Sequence, residues 1–143
     1  MKTVQGDLIE LALDGVFDTI IHGCNCQCTM GAGIALAIKQ IFPQAYAADR
    51  ATGSIDRAKL GTISHATVER AGHSITIVNG YTQFHWRGQG VLADYDAIRS
   101  VMAAVRQIGM ANSKRRICLS PSGSIMAPAP VADHAPGASQ NQG

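Results

Sequence analysis

The chain has 143 residues, a length suited to one domain with a real core. Hydrophobic residues make up 46% and charged residues 15%, with a net charge of +2. Basic residues stand singly except for Lys114-Arg115-Arg116, so nothing in the composition points to a nucleic-acid surface. No apolar run approaches the roughly 18 residues of a membrane span. Met1-Lys2-Thr3-Val4-Gln5 lacks the pattern of a secretory signal, and the expected location is the cytoplasm.

The first strand signal is Lys2-Thr3-Val4-Gln5, stopped at Gly6-Asp7. A second runs from Phe17 to Gly23, β-branched and apolar toward its end, as a strand buried on both faces should be. After Gly31-Ala32-Gly33 the apolar positions Ile34, Ile38, Ile41 and Phe42 predict one buried helical face ending at Pro43. A short helix is expected over Ala45 to Arg50, then a surface loop from Ala51 to Lys59. Leu60 to Val68 and Ser74 to Asn79 read as two strands joined by a turn at Ala71-Gly72-His73. A long amphipathic helix follows, with Leu92, Tyr95, Ile98, Met102, Val105 and Ile108 on one stripe and Asp94 and Asp96 near its N-terminus. Arg115 to Leu119 begins another strand. Strands alternating with helices predict an α/β fold with a sheet at least partly parallel.

The end of the chain differs in kind. Pro121 to Gly143 carries four of the five prolines, and 15 of its 23 residues are Ala, Pro, Gly or Ser. Such a stretch cannot bury enough apolar surface to offset the entropy of ordering it. The division expected is therefore a domain over residues 1–118 and a low-complexity tail over 119–143.

Of the four cysteines, Cys24, Cys26 and Cys28 alternate within five residues. That spacing suits neither a disulfide framework nor a zinc site, which favours pairs two to four residues apart. Free thiols and no metal are expected, and no cofactor. The segment His22 to Ile34 lies where a strand leads into a helix, the usual place for ligands in open α/β sheets. Glycines at 31 and 33 let the backbone approach a ligand, and the helix N-terminus suits phosphate. The same glycines also fit a turn packed closely on the sheet, and the spacing is neither a Walker A loop nor a full G-x-G-x-x-G.

Three segments taken together say more. Gly6-Asp7-Leu8, His22-Gly23-Cys24-Asn25-Cys26 and Met30-Gly31-Ala32-Gly33-Ile34-Ala35 resemble the macrodomain family in order and separation, from about Lys2 to Arg116. The resemblance implies a three-layer α/β/α fold with a mixed sheet and ADP-ribose, or a derivative of it, as ligand. By position it implies that Asp7 accepts from the adenine amino group with the Leu8 backbone beside it. It likewise implies that the amides of Gly31, Ala32, Gly33 and Ile34 hold phosphate and distal ribose, and that Asn25 faces the distal ribose. Read as residues alone, the alternatives are a turn aspartate at Asp7 and an Asx turn at Asn25.

The His-x-Cys-Asn-Cys run is most similar to the ADP-ribose-1″-phosphate phosphatase branch, which makes His22 a candidate acid–base group and Asn25 its partner. A strand-end histidine satisfied by backbone is the plainer account of His22, and an exposed loop residue that of His85. A hydrolase branch with Asn-x-x-Asn and a following aspartate finds only Asn25 here, beside His22 and Ala35. A DNA-directed branch relying on a lysine finds Gln83, and an amide cannot form the covalent intermediate an amine can. The resemblance also implies a second glycine-rich loop, a helix and a strand after Arg115, where this chain has Cys118-Leu119-Ser120-Pro121-Ser122-Gly123. The expectation is therefore a domain missing its final helix and strand, either an enzyme on ADP-ribose 1″-phosphate or a related derivative, a non-catalytic binding module, or an inactive remnant. A changed reading frame would show in the nucleotides downstream of codon 116: an intact second loop in another frame supports it, and its absence removes it.

Overall fold

The computed structural model describes residues 6–85, 87–88, 92–111 and 116–119. The expected first strand at Lys2–Gln5 and the tail after Leu119, with the expected loss of a final helix and strand, lie outside the described residues.

A short helix, α1 (Leu8–Leu13), opens the described chain. Asp7 starts it, its Oδ1 accepting from the Ile9 and Glu10 amides at 2.9 and 3.0 Å, the bonds expected of an N-cap. Strand β1 (Thr19–Asn25) follows, beginning two residues after the sequence expectation and ending two later. Helices α2 (Gly33–Ile41) and α3 (Pro43–Ala51) come next. Pro43 does more than end the first of them, since it occupies the first turn of α3, where its missing N–H has no partner to lose. A 3₁₀ turn (Arg57–Lys59) leads to β2 (Ile63–Arg70) and β3 (His73–Gln83). These two pair antiparallel from Arg70↔His73, and Ala71 and Gly72 between them have φ of 53° and 79°, the left-handed pair of a two-residue hairpin turn. Helix α4 (Tyr95–Ala111) and strand β4 (Ile117–Leu119) complete the order.

The sheet order is β2-β3-β1-β4, with β1 parallel to both neighbours and β2 antiparallel to β3. Side chains alternate across the central strands, and each set finds its own helices. On one face Ile20, Val68, Ile75 and Ile77 pack with Ile9 and Ala12 of α1, Ile38 of α2, Phe42, and Ala45 of α3. On the other Ile21 and Val78 meet Val101 and Val105 of α4. The result is the expected three-layer α/β/α arrangement around a mixed sheet.

Two expectations need correction. Ile41, placed on the buried face of α2, is 39% exposed, because the helix ends there and Phe42 takes the core position instead. The buried stripe of α4 centres on Ala97, Ile98, Val101 and Val105, while Tyr95 and Met102 are half-buried. Gly80 explains the rotation: a Cβ there would stand 2.6 Å from Val101 Cγ1, so the missing side chain is the space Val101 fills. Strand β3 passes through this glycine and runs on to Gln83 rather than stopping at Asn79. Gly80→Ala is expected to force Val101 outward and lower stability by about 1–3 kcal/mol, read as a reduced urea midpoint at unchanged m-value.

Candidate functional site

Parallel pairing delivers the carboxyl ends of β1 and β3 to one rim, where Asn25 stands opposite Gln83 after a register shift between Cys24 and Asn25. Chain leaving β1 there turns sharply before α2. Cys28 and Met30 hold positive φ of 56° and 41° without being glycine, and Gly33 has φ +57° at the first helical position. Left-handed backbone costs an ordinary residue about 1–2 kcal/mol, which suits glycine at 33 and makes the conformations at 28 and 30 dependent on their surroundings. Those surroundings are visible. Met30 is buried in the core, and Cys28 Sγ donates to the carbonyls of Asp49 and Gly53 at 3.3 and 3.4 Å. Asn25 ties the turn from the other side. Its Oδ1 accepts from the Gln27 amide at 2.8 Å, an Asx turn, and its Nδ2 donates to Thr29 Oγ1 at 2.9 Å.

A cavity of about 410 Å³ opens at this rim, within the range of small-molecule sites. Asn25, Gly31, Ala32, Gly33 and Ile34 line it, as do Gly23, Cys24, Thr29, Met30, Ala35, Asp49 and Gln83. Helix α2 starts at its wall with no side chain capping the N-terminus. The first amides of a helix have no intrahelical acceptor, so this wall presents N–H groups and the positive end of a helix dipole.

Five of the eight expected site residues thus meet around one cavity. Asp7 and Leu8 do not line it; Asp7 is engaged as the cap of α1. His22 does not line it either. It is fully buried in β1, with Nε2 2.7 Å from Asn79 Oδ1, and Asn79 donates onward to the Ala45 carbonyl at 2.9 Å and Ser64 Oγ at 3.0 Å. Burial drives the His22 pKa down to about 4, against smaller opposing effects from Asn79 and Asp49. Burial likewise pushes the Cys24 thiol up, so the cysteine on the cavity wall is protonated. His85 is exposed, edge-on to Phe84. Among the described residues no group of histidine, cysteine, aspartate or glutamate side chains could hold a metal, and no helix is long and apolar enough to cross a membrane.

The residue that sequence reading missed is Asp49. It lies on α3, is 1% exposed, and lines the cavity. Its Oδ1 accepts from Tyr81 Oη at 2.8 Å and stands 3.6 Å from Lys59 Nζ, itself buried. Lys59 also donates to the Gly53 carbonyl at 2.8 Å and to Cys28 Sγ at 3.2 Å. The position of Asp49, four residues after Ala45 on an expected helix, gains meaning only once Ala45 is seen to be buried.

No protein-family model matches the chain. It is 34% identical over 110 residues to an uncharacterised 17.5 kDa protein of Enterobacteria phage T4, covering 76% of this chain and 68% of that protein. It is 50% identical over 46 residues to an ADP-ribose 1″-phosphate phosphatase of Aspergillus oryzae, a match spanning 32% of this chain and only 21% of the enzyme. Among solved structures, the macrodomain of Thermus aquaticus DarG superposes with a TM-score of 0.69 at 22% identity, covering 94% of this chain and 86% of that one. The chain has the macrodomain fold. Thermosipho africanus DarTG, solved in complex with ADP-ribose, matches this macrodomain with a TM-score of 0.59 at 15% identity, over 75% of this chain and 30% of that one.

Burial of His22 has a measurable consequence for the macrodomain's stability. Its folded pKa near 4 lies below the ordinary 6.5, so the unfolded chain binds the proton more readily. Stability contributed by neutral His22 is complete above pH 6.5 and falls as pH drops from about 6.5 to about 4, by about 3 kcal/mol in all. Urea unfolding of wild type and His22→Gln between pH 7 and pH 5 should show a steeper loss in wild type; parallel curves would contradict it.

Proposed function

We propose that this macrodomain binds ADP-ribose in the cavity at the start of α2. The observation carrying this reading is the uncapped start of α2 at Gly33–Ala35, which lines the same cavity of about 410 Å³ as Asn25. Phosphate oxygens suit those amides. The ADP-ribose complex of Thermosipho africanus DarTG supports the same ligand. The four cysteines, all free, fit a reducing cytoplasm. Titration with ADP-ribose should give one site per chain and raise the melting temperature, with about 2.7 kcal/mol of added stability at a hundredfold excess over Kd. Absence of both heat and thermal shift would sink the reading.

Turnover is the second reading, favoured by the 50% identity to the Aspergillus oryzae phosphatase. In it the substrate is ADP-ribose 1″-phosphate or a related derivative. His22, shut inside the sheet against Asn79, does not reach a substrate in the cavity. Phosphate release by wild type and His22→Gln, compared per folded molecule, is therefore expected to agree within about threefold. A loss of the 10²–10⁴-fold order typical of a missing acid–base group would return His22 to the reaction.

A further inference from the structure

We infer that Cys28 and Lys59 are a redox-sensitive pair, joined by a sulfur–nitrogen bond when a hydroperoxide oxidises the thiol. Lys59 Nζ donates to Cys28 Sγ at 3.2 Å, the separation of reacting atoms in a near-attack arrangement. The contact is held from both sides. Lys59 is 5% exposed; its Nζ also donates to the Gly53 carbonyl at 2.8 Å, stands 3.6 Å from Asp49 Oδ1 and lies 4.3 Å from the centre of the Tyr81 ring. Cys28 Sγ is fixed in turn by the carbonyls of Asp49 and Gly53. Access separates this thiol from its neighbours in the sequence. Cys24 and Cys26 are buried, whereas Cys28 is partly exposed and its sulfur lies beside the exposed Gly53. Oxidation of thiols follows exposure as well as thiolate character.

The chemistry takes two steps and one oxidant. Sulfur attacks one oxygen of the hydroperoxide; the S–O bond forms, the O–O bond breaks, and the thiol proton leaves with the alcohol or water released. Sulfur is oxidised by two electrons to a sulfenic acid and the peroxide is reduced. Lys59 then sheds one proton to solvent, and the freed electron pair on nitrogen attacks the same sulfur. The S–N bond forms, the S–O bond breaks, and hydroxide departs as water with a second proton from the amine. Condensation of a sulfenic acid with nitrogen to a sulfenamide is a reversible step of cysteine oxidation. Here it ties the turn ahead of α2 to the 3₁₀ turn ahead of β2, and removes the ammonium charge facing Asp49.

Cys118 is the other partly exposed thiol, so the test uses Cys118→Ser, which keeps three of the four cysteines. After treatment with hydrogen peroxide, native mass spectrometry at neutral pH should show a protein about 2 Da lighter, from the two hydrogens lost in the linkage. Unfolded in urea, the oxidised protein should take two maleimides instead of three, and one acyl group fewer from an amine-reactive ester. Dithiothreitol should restore both counts. Lys59→Arg keeps the cation and removes the amine, so peroxide should produce no such loss of mass there; if that variant does not fold, the amine count in Cys118→Ser decides alone. Loss of two maleimides marks a disulfide, and loss of one with the amine count unchanged marks attack by a backbone nitrogen. A gain of about 16 or 32 Da in place of the loss marks a sulfenic or sulfinic acid left uncoupled. Each of these results, or no change at all, would overturn the inference.

Discussion

Parallel pairing of β1 with β3 is the constraint on which the remaining structure depends. Two strands that run the same way must end on the same side, and here they end at Asn25 and Gln83. Everything that makes a site then has one place to gather. The chain leaving β1 supplies the glycine turn and the start of α2, and β3 brings Gln83 to the facing wall. Strand β1 has both edges paired, to β3 and β4, and both faces covered, by α1–α3 on one side and α4 on the other.

Covering both faces leaves polar groups inside, and several of them are joined in one connected set. His22 meets Asn79, Asn79 meets Ser64 and the Ala45 carbonyl, Ser64 meets Tyr81, and Tyr81 meets Asp49. The chain of bonds fastens α3 to the sheet by direction as well as by apolar contact. It also divides labour between residues the sequence placed together. Asn25, three positions after His22, faces the cavity, while His22 is turned into the network and holds the scaffold.

Much of the fold was legible because its signals are local. The β-branched run at Thr19–Ile21, the stripe at Ile34 and Ile38, and the two strands around Ala71-Gly72 each carry their own period. What was not legible depended on partners distant in sequence. Nothing near Val101 says that it outranks Met102; the decision is made by Gly80, on another element. His22 reads as a catalytic candidate by spacing, and only Asn79, 57 positions away, shows where its ring is committed. Asp49 escaped notice for a related reason: an acidic residue on a short helix is ordinarily solvated, and its burial depends on Tyr81 and Lys59 arriving from β3 and the preceding 3₁₀ turn. The residues that the family resemblance singled out in the glycine loop and at Asn25 line the cavity, and the resemblance could not supply a residue outside its motifs.

The two left-handed, non-glycine residues of the ligand turn, Cys28 and Met30, carry a last implication. Neither conformation is one the free chain would favour, and both are imposed by the protein's own bonds and packing: Cys28 Sγ on two carbonyls, Met30 within the core. The loop is therefore held by the fold itself. Association need not freeze a wandering segment, and its free energy goes to complementarity between ligand and wall rather than to ordering the protein.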